Sequence, residues 1–174
     1  MQLHRNEGMN RYKNIIGVDP GKEGFITVMF DGGGISHFPV PKQKNEVDLH
    51  ALGELVMRIA EAVNVEDTLV AIEKVHAIAG SSSAGTFTFG GIYYALQMAF
   101  TMLEFPIILV APKQWQKEIY AGVKPNKDKK VMSISAAKML FPNHDLRRSE
   151  RCIKPDDNLT DSLLIAEYAR RKYR

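Results

Sequence analysis

Cysteine is almost absent from this chain: Cys152 is the only one in 174 residues. No intrachain disulfide can form, which excludes the disulfide-stapled secreted domain and the Cys-rich zinc module. Long apolar runs are missing as well. None approaches the ~18 residues of a membrane span, and no charged, apolar and small-residue cleavage pattern stands at Met1–Tyr12. Histidine is sparse, with five residues and no His-x₃-His spacing, so zinc chemistry is not expected, and His76 near Glu73 is not read as a ligand. Gly32–Gly34 lacks the Lys-Ser/Thr of a phosphate loop, and Ser81–Ser83 lacks a partner pattern for acyl transfer. No nucleotide cofactor and no membrane partner is expected.

What is present is an ordinary globular composition, 45% hydrophobic and 25% charged. A chain of this length buries roughly 70% of its extended surface and builds a core without metal or disulfide. The net charge of +3 hides a segregation: positions 113–174 hold 15 of the 23 Lys+Arg and 8 of the 20 Asp+Glu, whereas positions 1–112 hold 8 against 12. A basic C-terminal third suits a polyanionic partner, because clustered cations neutralise phosphates and release counterions.

Positions 1–13 are polar and aperiodic and read as a flexible leader; 14–174 read as one domain. Ile15–Val18 is a buried strand stopped by the turn Asp19-Pro20-Gly21. Gly24–Met29 and Ile35–Phe38, joined through Asp31-Gly32-Gly33-Gly34, complete a β-meander. Pro39–Val47 reads as loop, and Asp48 caps a helix with Leu52, Leu55, Val56, Ile59 and Val63 at helical spacing. Leu69–Ile72 is another buried strand, ending at Glu73. Ala79–Gly85 has linker-like composition and is expected to form a flexible active-site loop. A helix over Phe89–Leu103, apolar nearly all round, asks for burial on two sides. Ile107–Val110 is a fifth strand, and helices are expected over Trp115–Tyr120, Lys130–Leu140 and Asp157–Lys172. The order predicts an α/β domain: a five-stranded mixed sheet, antiparallel meander then parallel strands, flanked by helices.

Acidic residues punctuate this order. Asp19 and Glu73 each end a buried strand, where sites of α/β sheets usually lie. Asp156, Asp157 and Asp161 open the last helix, with Asp157 and Asp161 one turn apart on one face. Hard divalent cations need carboxylate oxygens converging from several elements, and this pattern supplies them. Read singly, the same residues could be a turn Asp, a solvated strand end and a helix cap.

The phrases Ile16-Gly17-Val18-Asp19-Pro20-Gly21, Ala71-Ile72-Glu73-Lys74-Val75 and Asp156-Asp157-Asn158-Leu159-Thr160-Asp161-Ser162 resemble the RuvC-type Holliday junction resolvases of the ribonuclease H-like superfamily. The resemblance extends over about residues 14–171. Phe87-Thr88-Phe89-Gly90, Pro112-Lys113-Gln114-Trp115 and Leu140-Phe141-Pro142 are similar in style to the bacteriophage branch. It implies a ribonuclease H-like fold and a site using Mg²⁺ or Mn²⁺, two ions per site. It further implies a homodimer that nicks opposed strands of a four-way DNA junction, in the cytoplasm of a bacterium or phage-infected host. By position Asp19, Glu73 and Asp161 match the metal-binding acids. The fourth slot, three residues before the last acid in bacterial members, is Asn158 here; the helical offset favours Asp157, with Asp156 in reserve.

Lys124, Lys127, Lys129 and Lys130 form the densest basic run, and cations at a helix start oppose its dipole, which points to phosphate binding. The resemblance singles out Lys130 as the contact to the scissile strand. Arg147, Arg148 and Arg151 are candidates for a flanking DNA arm. Phe87, beyond the Ser/Gly loop, is a candidate for stacking on an unpaired base, and Phe89 for the core. The helix Phe89–Leu103, with Gly90, Gly91, Ala95 and Ala99 allowing close approach, is the expected dimer contact. The rival readings are a non-catalytic branched-DNA binding module and a ribonuclease H-like nuclease acting on other branched DNA or an RNA–DNA hybrid.

Overall fold

The computed structural model describes residues 12–75 and 82–174. Its main sheet has strands β1 (Asn14–Val18), β2 (Phe25–Met29), β3 (Ile35–Pro39), β6 (Thr68–Glu73) and β7 (Ile107–Val110), in the order β3-β2-β1-β6-β7. β1 runs antiparallel to β2 and parallel to β6, which in turn is parallel to β7. The expected mixed sheet is therefore present, with its meander and its two parallel crossovers. In the stretch read as loop, β4 (Lys42–Gln43) and β5 (Glu46–Val47) form a small hairpin of their own. Two-residue strands carry too little alternation to be legible in sequence.

Side-chain alternation along β1 divides the core. Ile16 and Val18 point to one face with Ile26, Val28, Val70 and Ile72, where α1 (Leu49–Ala62) and α2 (Ser83–Met102) cover them. Ile15 points to the other with Phe25, Leu69 and Ala71, under α3 (Pro112–Ile119), α4 (Lys129–Leu140) and α5 (Asp157–Tyr173). Helix starts follow capping chemistry. Asp48 accepts from Ala51 N at 3.0 Å, Asp128 from Lys130 N at 2.9 Å, and Asp156 from Asn158 N and Leu159 N at 2.9 and 3.1 Å.

Two expectations are corrected. Helix α2 begins at Ser83, six residues before the expected start, because Ser82 Oγ accepts from Gly85 N at 3.1 Å and caps it. Of the expected active-site loop Ala79–Gly85, Ser83–Gly85 are thus helical, while Ala79–Ser81, like His76, lie outside the described residues. Helix α2 is also buried on one side only, through Ile92, Tyr93, Leu96 and Phe100; Tyr94, Met98 and Met102 of its far face are exposed. Residues 1–11 of the expected leader lie outside the described residues. Tyr12 is buried, and Lys13 pairs with Asp67 at 2.9 Å and donates its backbone N–H to the Asp67 carbonyl.

Helix α5 lies directly on β1. A Cβ at Gly17 would stand 2.2 Å from the Ser162 carbonyl oxygen and 2.5 Å from Ala166 N. Beside that contact Ser162 Oγ donates to the Leu159 carbonyl at 2.9 Å and accepts from Thr27 Oγ1 at 2.6 Å, pinning α5 to β2. Gly17→Ala is expected to force the helix off the sheet and cost about 3 kcal/mol, at the upper end for overpacking because backbone atoms must move. Urea unfolding of the variant against the native chain measures it, and an unchanged midpoint would contradict the close approach.

Candidate active site

Val18 of β1 pairs with Ile72 of β6, so the residues next in line, Asp19 and Glu73, leave the sheet side by side at its carboxyl edge. The turn after Asp19 is tight. Gly24 N donates to the Gly21 carbonyl at 2.9 Å, and Asp19 Oδ1 accepts from Gly21 N at 3.3 Å. A Cβ at Gly24 would meet the Asp19 carbonyl at 2.1 Å, so only glycine fits there. Helix α5 brings Asp161 in its second turn, and Ser133 Oγ of α4 donates to Asp161 Oδ1. Glu73 Oε1 accepts from the indole Nε1 of fully buried Trp115 at 2.8 Å.

The two aspartates that start α5 have separate tasks. Asp156 is spent twice: one oxygen caps the helix and the other takes Arg148 Nε at 2.6 Å. Asp157 faces the acidic cluster, where its charge bears on Asp19 and Asp161, and it pairs with Lys130 Nζ at 2.7 Å. Burial pushes the Asp19 carboxyl up to about 8, with Asp161, Glu73 and Asp157 adding to the effect. Burial pushes Asp161 up to about 7 against the Ser133 hydrogen bond, and Glu73 and Asp157 add to it. Glu73 is raised by burial, opposed by the Trp115 bond and by Lys129. Tyr120 is held well above the usual phenol range by burial and by Asp161 and Glu73.

Lys129 and Lys130 offset only part of the negative charge of this cluster. Its donors are all carboxylate oxygens, the set that suits a hard divalent cation, with Asp19, Glu73, Asp157 and Asp161 as the residues that would hold one. As they stand, no three His, Cys, Asp or Glu side chains among the described residues converge closely enough to hold a metal ion. Glu73 is turned to Trp115 and Asp161 to Ser133.

No family model matches the chain, and no curated protein sequence matches it. Solved structures do. Thermus thermophilus RuvC in complex with Holliday junction substrate superposes with a TM-score of 0.60 over 92% of this chain and 96% of its own, at 14% identity. The fold is that of RuvC. A second Thermus thermophilus RuvC structure gives a TM-score of 0.57 at 15% identity, over 91% of this chain and 96% of that one. The yeast mitochondrial Holliday junction resolvase gives 0.50 at 16% identity, over 92% and 78%. The expected ribonuclease H-like architecture is therefore observed.

On this RuvC fold the sequence-selected acids lie near one another at one edge of the sheet without converging on a single point, and the basic run divides. Lys129 and Lys130 start α4 beside the acids, whereas Lys124 and Lys127 stand exposed on the preceding loop. Phe87 sits on the first turns of α2 rather than on a loop and is 84% exposed. Phe89 lies on the same face of α2 as Ile92, Tyr93 and Leu96 but is only half-buried and is not part of the core cluster. Arg147 and Arg148 are turned to Asp145, Asp156 and Glu23, leaving only Arg151 of the three arginines exposed without such a partner. Sequence reading missed Trp115, Ser133 and Tyr120 as supports of the site. The one available signal was a serine amid the small residues of α4, where Ser133 is as buried as Ala136 and Ala137.

Asp19 and Asp161 bind protons more tightly in the native chain than unfolded, so native stability falls as pH rises from about 4, where unfolded carboxyls release their protons, to about 8. Asp161→Asn removes one repelling charge and keeps an acceptor for Ser133. It is expected to raise the metal-free melting temperature at pH 8, by roughly 2–4 °C for each kcal/mol relieved, and to change it little at pH 5. Thermal unfolding across pH measures this difference; an equal effect at both pH values would refute the repulsion.

Proposed function

We propose that this chain is a divalent-metal-dependent endonuclease that resolves four-way DNA junctions, of the bacteriophage-like kind, acting in the cytoplasm of a bacterium or an infected host. The observation that carries the reading is the half-buried, mutually repelling set Asp19, Glu73, Asp157 and Asp161 at the carboxyl edge of a RuvC-type sheet. A folded chain keeps such a costly cluster only where a cation and a polyanion complete it. Residues 14–174 would act as one nuclease domain.

Asp19, Glu73, Asp157 and Asp161 would hold Mg²⁺ or Mn²⁺. A bound pair of such ions supplies a water acidic enough to attack phosphorus and offsets charge on the departing 3′-oxygen. The chain's own residues do the rest. Trp115 fixes one oxygen of Glu73, and Ser133 fixes one of Asp161, so each carboxylate presents its other oxygen in a defined direction. Lys130 neutralises Asp157 and, 70% exposed, can swing to a phosphate. Lys124, Lys127 and Lys129 extend the cationic track, and Phe87 offers a ring for stacking on an unpaired base, worth ~1–3 kcal/mol. The exposed face of α2, with Tyr94, Met98 and Met102 uncovered by any described residue, supports the homodimer that two opposed nicks require.

Incubation with a labelled four-way junction and a matched linear duplex in Mg²⁺, Mn²⁺ or EDTA tests the reading. Paired nicks on the junction alone are expected with either metal, and none in EDTA or with Asp161→Asn. Tight binding without nicks would assign a binding module instead, and cleavage of duplex or hybrid would change the substrate. Phe87→Ala should leave unfolding unchanged while weakening junction distortion read by fluorescence energy transfer between arms. Met98→Glu places a charge on the α2 face and should shift sedimentation from dimer to monomer; a wild-type chain that sediments as a monomer would refute the dimer.

A further inference from the structure

The connection from α4 to α5 is braced rather than slack. Asp156 N donates to the Leu146 carbonyl at 2.8 Å, closing residues 146–156 at the cap of α5. Within it Cys152 N reaches the Ser149 carbonyl at 3.0 Å. The Arg147 guanidinium, bound to both Asp145 oxygens at 2.8–3.1 Å, donates to the carbonyls of Glu150 and Cys152 at 3.4 Å. Arg148 ties the base of the loop to the turn that follows Asp19. It donates to Asp156 at 2.6 Å, to a Glu23 side-chain oxygen at 3.1 Å and to the Glu23 carbonyl at 2.8 Å, with its guanidinium 4.9 Å from the Phe25 ring centroid. Two arginines of this basic segment thus hold the loop in shape.

The braced loop presents Ile153 to solvent, 94% exposed, between exposed Arg151 and Lys154. A lone surface isoleucine needs no explanation; this one is flanked by cations and stands four residues before Asp157, within about 14 Å of chain. Its β-branched side chain has little rotamer freedom to lose on insertion, and Pro155 restricts Lys154 to extended backbone. Apolar side chains held this way enter base steps and unstack them, while neighbouring cations take the phosphates.

We infer that residues 151–154 form a DNA wedge, in which Arg151 and Lys154 hold the backbone and Ile153 enters an unstacked base step of branched DNA beside the acidic site. The inference rests on the reading of the chain as a junction nuclease. The partner is DNA with an already weakened stack, because insertion costs least where stacking is interrupted.

The test uses the full chain in EDTA with a four-way junction carrying 2-aminopurine near the crossover, and a linear duplex of the same sequence. Ile153→Ser is expected to bind the junction roughly five- to twentyfold more weakly and to lose the fluorescence rise of the unstacked base, on the scale of one forfeited unstacking contact. Its duplex affinity, salt dependence and unfolding midpoint should match the wild type. Arg151→Gln with Lys154→Gln should weaken binding to both DNAs and flatten the logarithmic salt slope by about two. Wild-type binding with Ile153→Ser unchanged in affinity and fluorescence overturns the wedge alone. A lowered unfolding midpoint in Ile153→Ser matching its loss of affinity assigns the side chain to packing and also overturns it. A wild-type chain that binds neither DNA overturns the junction reading, and the wedge with it.

Discussion

The approach of β1 to α5 across Gly17 is the contact on which the arrangement of the site depends. With a hydrogen where other residues carry Cβ, the strand comes so close to the helix that a methyl group would overlap the Ser162 carbonyl and Ala166 N. That closeness sets the depth at which α5 lies, and with it the position of its first two turns. Asp19 stands two residues beyond Gly17, and Asp157 and Asp161 stand five residues, roughly one and a half turns, ahead of Ser162 and Ala166 respectively. The helix and the strand can exchange charge effects only because the backbone contact holds them at this distance. The hydroxyl contacts of Ser162 with Thr27 and Leu159 fix the same helix laterally, so its rotation is set by hydrogen bonds as well as by packing.

Against this tight frame the acidic cluster works as a local liability. Carboxylates buried beside one another favour their protonated forms, and the frame must absorb that cost. It does so with directed bonds rather than with countercharge at the centre: the indole of Trp115 on Glu73, the hydroxyl of Ser133 on Asp161, the Gly21 amide on Asp19. Cations enter at the rim, where Lys130 meets Asp157 and Lys129 bears on Glu73. Polar donors orient a carboxylate without removing its charge, which leaves the centre negative and selective for what neutralises it.

The basic C-terminal third is less available than its composition suggests. Arg170 and Arg171 both clasp Glu167, which is buried, and Arg174 reaches Asp31. Arg147 and Arg148 brace the loop ahead of α5. Charge counting along the chain therefore overstates the surface that can meet a polyanion. What remains outward includes Lys113 and Lys117 on α3, the lysines of the α3–α4 connection and the start of α4, Lys138 farther along α4, and Arg151 and Lys154 on the braced loop.

Much of the architecture was legible because it rests on strong local signals. Buried strands of four to six apolar residues stopped by Asp-Pro-Gly, by a glycine hairpin or by a single glutamate announce a sheet with acids at its ends, and the capping aspartates announce α1 and α5. The start of α2 was not legible, because Ser and Gly read as linker until Ser82 is seen to cap the helix. Its exposed far face was not legible either, since apolar periodicity says that a side wants cover and not whether this chain supplies it. The roles of Asp156 and Asp157, adjacent in sequence, were separated by where Arg148 and Lys130 lie in space. The sequence by itself determined the order of strands and helices, the acids that end them and the excess of cations late in the chain, because these follow from patterns within a few residues. Tertiary structure alone decided which charges face one another and which are already paired, because Coulomb forces and hydrogen bonds act over a few ångströms between segments up to 143 residues apart.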